Sequence, residues 1–159
     1  MFKILLHTCC GPCSTYVVKS LREQDFEVAG YFYNPNIQPQ EEYDKRLQTM
    51  KQYAAAVSFE VIYESNDTKL TPKECEHCYR ARLGKTAQSA KRQSFEYFST
   101  TLLISPYQKI ELIKKIGDEI GAQVGVKFLC QDFQKGYRES RALARELNLY
   151  MQRYCGCQN

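Results

Sequence analysis

The sequence predicts one Rossmann-like α/β domain over its 159 residues, with a parallel sheet covered by helices on both faces. Short β-prone runs alternate with longer segments of helical period, and parallel strands need the crossover connections that such helices supply. Hydrophobic residues make up 43% and charged residues 25% of the chain, which is typical of a packed globular protein. Because no repeat, low-complexity tract or linker divides the sequence, residues 1–159 are interpreted as a single domain.

The first half of the chain predicts three strands and two helices. Val17, Val18 and Leu21 mark the inward face of the first helix, and apolar residues of the second helix follow the same spacing of three or four. Asn34-Pro35-Asn36 breaks the second strand. The predicted elements are a strand at 3–7, a helix at 14–24, a strand at 27–33, a helix at 40–57 and a strand at 59–63.

The second half continues the alternation with three helices and two strands. Tyr79, Leu83, Ala87 and Ala90 form one apolar stripe of the next helix. Ser105-Pro106 predicts the start of another helix, because proline is favoured in the first helical turn. The predicted elements are a helix at 75–94, a strand at 96–100, a helix opening at 105–106, a strand at 124–129 and a helix at 135–148.

The chain contains eight cysteines. Its first seven residues are too few for a signal peptide or a membrane span, so we expect a cytoplasmic protein that does not enter a membrane. Thiols stay reduced in the cytoplasm, and a domain of this size needs no covalent cross-links to fold. Metal binding or redox catalysis is therefore expected from the cysteines.

Seven of the cysteines fall into three groups, and Cys130 stands apart as a small hydrophobic core residue. Cys9, Cys10 and Cys13 lie between the first strand and helix, where a helix N-terminus favours thiolate. One closed zinc site uses only four ligands, but soft thiolates suit both zinc and iron–sulfur centres, so both stay open. The remaining two groups are Cys75 with Cys78, and Cys155 with Cys157.

Other features near these groups leave more than one interpretation open. Cys10-Gly11-Pro12-Cys13 has the form of a thioredoxin motif, but the chain has no tryptophan, and the other cysteines would have no role. His7 and His77 are either ligands or hydrogen-bonding partners. Some tyrosines near the motifs could stack on a nucleobase, namely Tyr31, Tyr33, Tyr43, Tyr107 and Tyr154.

Basic residues are concentrated in two segments, although the formal net charge is only +4. Residues 69–92 hold seven basic and two acidic side chains, and residues 135–153 hold five basic and two acidic ones. Two basic faces fit a polyanionic partner, but solvated helix faces explain the same charges.

Six motifs in register together resemble the QueH type of epoxyqueuosine reductase over nearly the whole chain. The motifs are far more specific together than any single pair of cysteines. They are Leu5-Leu6-His7-Thr8-Cys9-Cys10-Gly11-Pro12-Cys13, Tyr33-Asn34-Pro35-Asn36-Ile37, Cys75-Glu76-His77-Cys78-Tyr79-Arg80, Thr100-Thr101-Leu102-Leu103-Ile104-Ser105-Pro106-Tyr107, Asp132-Phe133 and Tyr154-Cys155-Gly156-Cys157.

The resemblance implies a HUP-type fold and the reduction of epoxyqueuosine to queuosine at the wobble position of tRNA, without cobalamin. It implies a [4Fe-4S] cluster held by Cys9, Cys10, Cys75 and Cys78. The same resemblance makes Cys155 and Cys157 a redox-active pair. Cys13 is then a catalytic thiol or a ligand of an additional iron, and Asp132 is a ligand or proton donor.

Two departures from the family pattern concern the same part of the chain. The sequence has Gln134 where the pattern has arginine, so a phosphate or base contact there is missing or passes to Lys135. Cys130 is not part of the pattern, which supports its interpretation as a core residue.

The expected partners are a tRNA that contains epoxyqueuosine and an electron donor that the sequence does not identify. Steep salt dependence is expected, because basic residues that neutralise phosphates release counterions. Two alternatives are an ATP-dependent tRNA thiolase-like enzyme, although Pro12 lacks the N–H of a phosphate-binding loop, and a non-catalytic zinc RNA-binding module. The expected phosphate contacts are Arg80, Arg82, Lys85 and Arg138.

Overall fold

The computed structural model describes residues 1–65 and 75–154, which form a parallel sheet with helices on both faces. The predicted Rossmann-like class is confirmed. The strands are β1 (Phe2–His7), β2 (Phe26–Phe32), β3 (Val61–Tyr63), β4 (Tyr97–Thr100) and β5 (Lys127–Phe128). The helices are α1 (Gly11–Glu23), α2 (Gln40–Ala56), α3 (Cys75–Arg92), α4 (Ile110–Val124) and α5 (Tyr137–Glu146), with 3-10 turns at Thr101–Ile104 and Gln134–Gly136.

The strand order β3-β2-β1-β4-β5 places β1 at the centre of the sheet. Leu5 pairs with Ala29 of β2 on one side and with Phe98 of β4 on the other. The chain runs outward from β1 in one direction through β2 and β3, and then returns to its other side with β4. The carboxyl end of β1 is therefore the topological switch point, where sheets of this kind bind their ligands.

Apolar strand residues fill the centre of the domain between two helical layers. Ile4, Leu5 and Leu6 have no exposed surface, since parallel strands are covered on both faces. Helix α1 packs against α2 and α5, whereas α3 packs against α4. All four residues of the apolar stripe predicted for α3 are buried, namely Tyr79, Leu83, Ala87 and Ala90.

Two elements of the second half, the fourth helix and the last strand, differ most from the sequence prediction. Helix α4 begins at Ile110 rather than at Ser105-Pro106, because the chain first forms a 3-10 turn and Ser105 then accepts a side-chain hydrogen bond from the Tyr107 amide at 3.1 Å. The last strand is only Lys127–Phe128, since α4 extends to Val124 and ends on Gly125 in the left-handed conformation (φ 88°).

Cys130 is half-buried and packs against the hydrophobic core, in agreement with its predicted structural role. Burial raises the pKa of this thiol above its ordinary value. None of the helices in the described ranges is both long and apolar enough to cross a membrane.

Candidate active site at the carboxyl end of strand β1

Three thiols meet in the turn between β1 and α1. The Sγ atoms of Cys9, Cys10 and Cys13 all lie within 4.8 Å of one another, and among the described residues they are the one group of this kind. Cys10 occupies the N-cap of α1, where its sulfur accepts a hydrogen bond from the Cys13 amide at 3.4 Å. Pro12 suits the first helical turn, which needs no N–H at that position. The local sequence thus folds the cysteines onto one point.

A buried polar network fixes this turn to the neighbouring strands. His7 has no exposed surface, and its ring lies 2.9 Å from Thr100 Oγ1 and 3.1 Å from Asn34 Oδ1. The Asn34 side chain donates to the carbonyl oxygen of Thr8 at 3.0 Å. Burial, and then the charge of Arg82, lowers the pKa of His7 to about 4. His7 is therefore a neutral hydrogen-bonding residue that joins three strand ends.

The three thiols differ in acidity. Hydrogen bonds from Cys10, Cys13 and Thr101 hold the pKa of Cys9 well below its ordinary value, although burial opposes them. Burial raises the pKa of Cys10 to about 12, and the pKa of Cys13 is also raised, mainly through its hydrogen bonds to the other two sulfurs. Ionisation is therefore favoured at Cys9 over its two neighbours, and thiolate is the form that binds soft metal ions.

Cys75 and Cys78 begin helix α3, but they are not members of the three-thiol group. Cys75 is exposed, whereas the buried Cys78 Sγ accepts a hydrogen bond from Arg82 Nη2 at 2.7 Å. The charge of Arg82 also acts on His7, so Cys78 belongs to the same electrostatic environment as the turn after β1. All six described cysteines are free thiols.

A cavity of about 410 Å³ opens beside the three-thiol group. The described residues that line it include three arginines and no carboxylate. Arg46 is paired with Glu42, so Arg141 and Arg153 make the cavity positively charged. Arg141 stacks on the Tyr137 ring at 4.7 Å, and its Nη2 lies 3.7 Å from Cys13 Sγ. The lining residues are Cys9, Cys13, Arg46, Leu102, Ser105, Tyr107, Gln108, Tyr137, Arg141, Gln152, Arg153 and Tyr154.

The chain that follows α5 crosses one side of this cavity. Arg46 of α2, only 2% exposed, donates to Glu42 Oε2 and to the carbonyl oxygen of Tyr154, both at 2.7 Å. Tyr150 donates to the other oxygen of Glu42 at 2.7 Å, and Tyr154 donates to the carbonyl oxygen of Gln38. These bonds fix the segment immediately before Cys155. Cys155 and Cys157 themselves lie outside the described residues.

The residues predicted to contact tRNA do not share one free basic face. Arg80 is exposed but bonded to Glu76 and Glu119, and Lys85 pairs with Glu64 at 3.7 Å. Arg82 is only 3% exposed and points to Cys78, so its burial does not support a phosphate contact. Arg138 is exposed on α5.

Asp132 and three of the five predicted stacking tyrosines are not among the described residues that line the cavity. Asp132 is exposed, accepts a hydrogen bond from the Gln134 amide at 3.2 Å, and is not among the described lining residues. Gln134 donates instead to the carbonyl oxygen of Ser105 at 3.1 Å. Tyr107 and Tyr154 do line the cavity.

Sequence reasoning missed Arg46 and Gln152 as site residues. The spacing of Glu42 and Arg46 is that of a helical ion pair, but such pairs are usually exposed and the pattern alone does not show their burial. Gln152 lies in a segment without regular structure, where no periodicity exists to indicate which way a side chain points.

The sheet topology and the position of the site define a HUP-type α/β protein with a thiol-rich centre at its switch point. Two solved structures with low sequence identity have the same fold. The U34-tRNA thiolase NcsA from Methanococcus maripaludis with its [4Fe-4S] cluster superposes with a TM-score of 0.63 at 16% identity, over 96% of this chain and 58% of that one. A predicted tRNA methyltransferase subunit from Methanocaldococcus jannaschii gives 0.58 at 13% identity, over 92% and 75%.

The chain belongs to the QueH family of epoxyqueuosine reductases, whose family model, described as Epoxyqueuosine reductase QueH, matches residues 4–159. The relative of that name from Dehalococcoides mccartyi is 39% identical over 164 residues, which cover 98% of this chain and 90% of the relative. The relative from Thermotoga maritima is 37% identical over 175 residues, with coverage of 99% and 89%.

Proposed function

We propose that this chain reduces epoxyqueuosine to queuosine at the wobble position of tRNA anticodons, the last step of queuosine synthesis. The observation that supports this proposal most strongly is the family match over residues 4–159. The positively charged cavity beside the three thiols adds chemical support, since it joins an anion-binding surface to groups that can donate electrons.

For the cofactor we propose a [4Fe-4S] cluster with Cys9, Cys10, Cys75 and Cys78 as ligands. Three of the four donors support this set, because Cys9 and Cys10 are adjacent soft sulfurs, Cys9 has a lowered pKa, and the buried Cys78 accepts a charged hydrogen bond. Cys75 is exposed, and it lies with Cys78 outside the three-thiol group. When bound, the cluster would supply single electrons and a Lewis-acidic iron. Cys13 remains available as a catalytic thiol or as a ligand of an additional iron.

Cys155 and Cys157 are proposed as the two-electron donor. Removal of the epoxide oxygen as water leaves an alkene and consumes two electrons and two protons. Oxidation of two thiols to one disulfide releases two electrons and two protons, so the exchange balances. An external electron donor must then reduce the disulfide. The bonds from Arg46 and to Gln38 fix Tyr154, which directly precedes Cys155.

The ATP-dependent thiolase alternative finds no support in the turn after β1. A phosphate-binding turn presents free N–H groups at the helix N-terminus. Here Pro12 has no N–H, and the Cys13 amide donates to Cys10 Sγ at 3.4 Å. Two of the amide positions at this helix N-terminus therefore offer no free N–H to a pyrophosphate.

A direct assay tests the proposed function. Protein reconstituted anaerobically with iron and sulfide would be incubated with tRNA that contains epoxyqueuosine and a chemical reductant, and the digested nucleosides would be separated by mass. We expect conversion to queuosine by the parent chain and by Cys130→Ser, whose thiol lies outside the cavity lining. Absence of conversion by fully loaded protein that binds the tRNA would refute the proposal.

A further inference from the structure

Two buried polar atoms at the cavity have no hydrogen-bond partner among the described residues. They are Nε of Arg141, which is a donor, and Oε1 of Gln152, which is an acceptor. Both side chains line the cavity together with Cys9 and Cys13. Leaving a buried polar group without a partner costs free energy, so each such atom in a folded protein calls for an explanation.

The two side chains are fixed at their other ends. Gln152 Nε2 donates to Cys10 Sγ at 2.8 Å, and Arg141 Nη2 lies 3.7 Å from Cys13 Sγ. Those two sulfurs are within 4.8 Å of each other, so the amide and the guanidinium converge on one small region. The Tyr137 ring supports the guanidinium from one face at 4.7 Å. The free donor and the free acceptor are thereby held beside the thiols before any ligand binds.

One donor and one acceptor together complement a lactam edge, in which a ring N–H lies next to a carbonyl oxygen. Guanine-type bases have this edge, whereas adenine-type bases have the donor and acceptor exchanged. The cavity volume of about 410 Å³ fits one nucleotide. The exposed Tyr107 offers an aromatic face, and Arg153 offers a further positive charge.

We propose that Arg141 and Gln152 recognise the base of the substrate nucleotide: Gln152 Oε1 accepts from its ring N–H, and Arg141 Nε donates to its carbonyl oxygen. This inference rests on the proposed function, because it identifies the base as a guanine-type lactam held beside the thiols. An adenine-type base would place an acceptor against Gln152 Oε1 and a donor against Arg141 Nε. Neither protein atom would then gain a hydrogen bond, so the site would discriminate against that base.

The test is binding of anticodon stem-loop RNAs by the cluster-loaded protein, which requires no turnover. The probes carry either guanine or adenine at the wobble position. We expect Gln152→Leu to weaken binding of the guanine RNA by roughly tenfold, the effect of one lost hydrogen bond, and to leave adenine binding unchanged. Arg141→Met also removes a positive charge, so it should weaken binding of both RNAs, but that of the guanine RNA by roughly tenfold more. Gln152→Glu keeps the acceptor and should bind the guanine RNA better than Gln152→Leu does.

Matched controls lie outside the cavity lining. Arg145→Met removes the same charge one turn further along α5, and Gln131→Leu removes an amide whose partner is Gln24. Both should bind like the parent chain, and iron and sulfide contents should be equal in all variants. Equal weakening for both RNAs would show contact with the backbone rather than the base, and would overturn the inference, as would unchanged binding. If the parent prefers guanine but reduces no epoxyqueuosine, the proposed function fails and this inference stands.

Discussion

Replacing Arg46 by methionine should destabilise the protein strongly, because Arg46 and Glu42 form a desolvated ion pair. Their side chains are only 2% and 9% exposed, and Nε and Oε2 are 2.7 Å apart. Removing the arginine leaves a buried carboxylate with only the Tyr150 hydroxyl as its described partner and frees the Tyr154 carbonyl. Breaking one partner of a buried pair costs about 3–5 kcal/mol. Because Tyr150 remains bonded, we expect the lower end, about 3 kcal/mol.

Urea unfolding followed by circular dichroism measures this loss, which is a large part of the roughly 5–15 kcal/mol that stabilises a typical domain. The melting temperature should fall by roughly 6–12 °C, since about 1 kcal/mol corresponds to roughly 2–4 °C in a chain of this size. Arg153→Met removes an exposed arginine from the same cavity and is the control. The double variant Arg46→Met/Glu42→Leu should recover much of the loss. A cost below about 1 kcal/mol, or no recovery, would refute the reasoning.

Three further predictions concern the cysteines and pH. The predicted cluster ligands are tested by four variants: Cys9→Ser, Cys10→Ser, Cys75→Ser and Cys78→Ser. Each should lose iron, sulfide and colour, whereas Cys130→Ser should keep them. Retention of all three in all four variants would refute this ligand set. Serine at Cys155 or Cys157 should abolish epoxide reduction with the cluster intact, and loss of metal would instead make them ligands. Burial opposes ionisation of Glu42, but hydrogen bonds from Tyr150 and Arg46 lower its pKa overall. The ionised carboxylate therefore stabilises the fold above the ordinary carboxyl pKa, and this stabilisation is lost as the pH falls through the lowered pKa. Glu42→Gln should reduce the pH dependence of the free energy of unfolding in that acidic range, which urea denaturation at several pH values would measure.

The sequence predicted the parts of the fold that local patterns determine. The alternation of periods of two and of three to four residues predicted the parallel sheet, and the described helix α3 (Cys75–Arg92) lies within the predicted range 75–94. Helix α4 was placed too early because Ser105-Pro106 is a strong local signal, and the preceding 3-10 turn depends on packing that no local pattern records. The meeting of Cys9, Cys10 and Cys13 follows from one short turn and was expected for the same reason.

The remainder of the site depends on contacts between distant segments. Arg46 and Tyr154 are joined across 108 positions, and Gln152 reaches Cys10 across 142. Contacts between residues so far apart in the chain produce no periodic pattern in a single sequence. Arg82 is an intermediate case: charge alone assigns it to a basic face, yet it lies four residues after Cys78, on the same side of α3. Helical spacing could have indicated that it points inward.

The capping role of Cys10 links the proposed metal binding to the stability of helix α1. Cys10 Sγ caps helix α1 through the Cys13 amide, and it is also a proposed ligand. A sulfur that loses its proton on binding a metal becomes a stronger acceptor, so occupancy of the site would reinforce the cap. Any ligand that binds only the folded state raises its stability by mass action. Melting temperature would therefore rise with the loaded fraction, and a two-step melting curve would report a mixture of empty and loaded molecules.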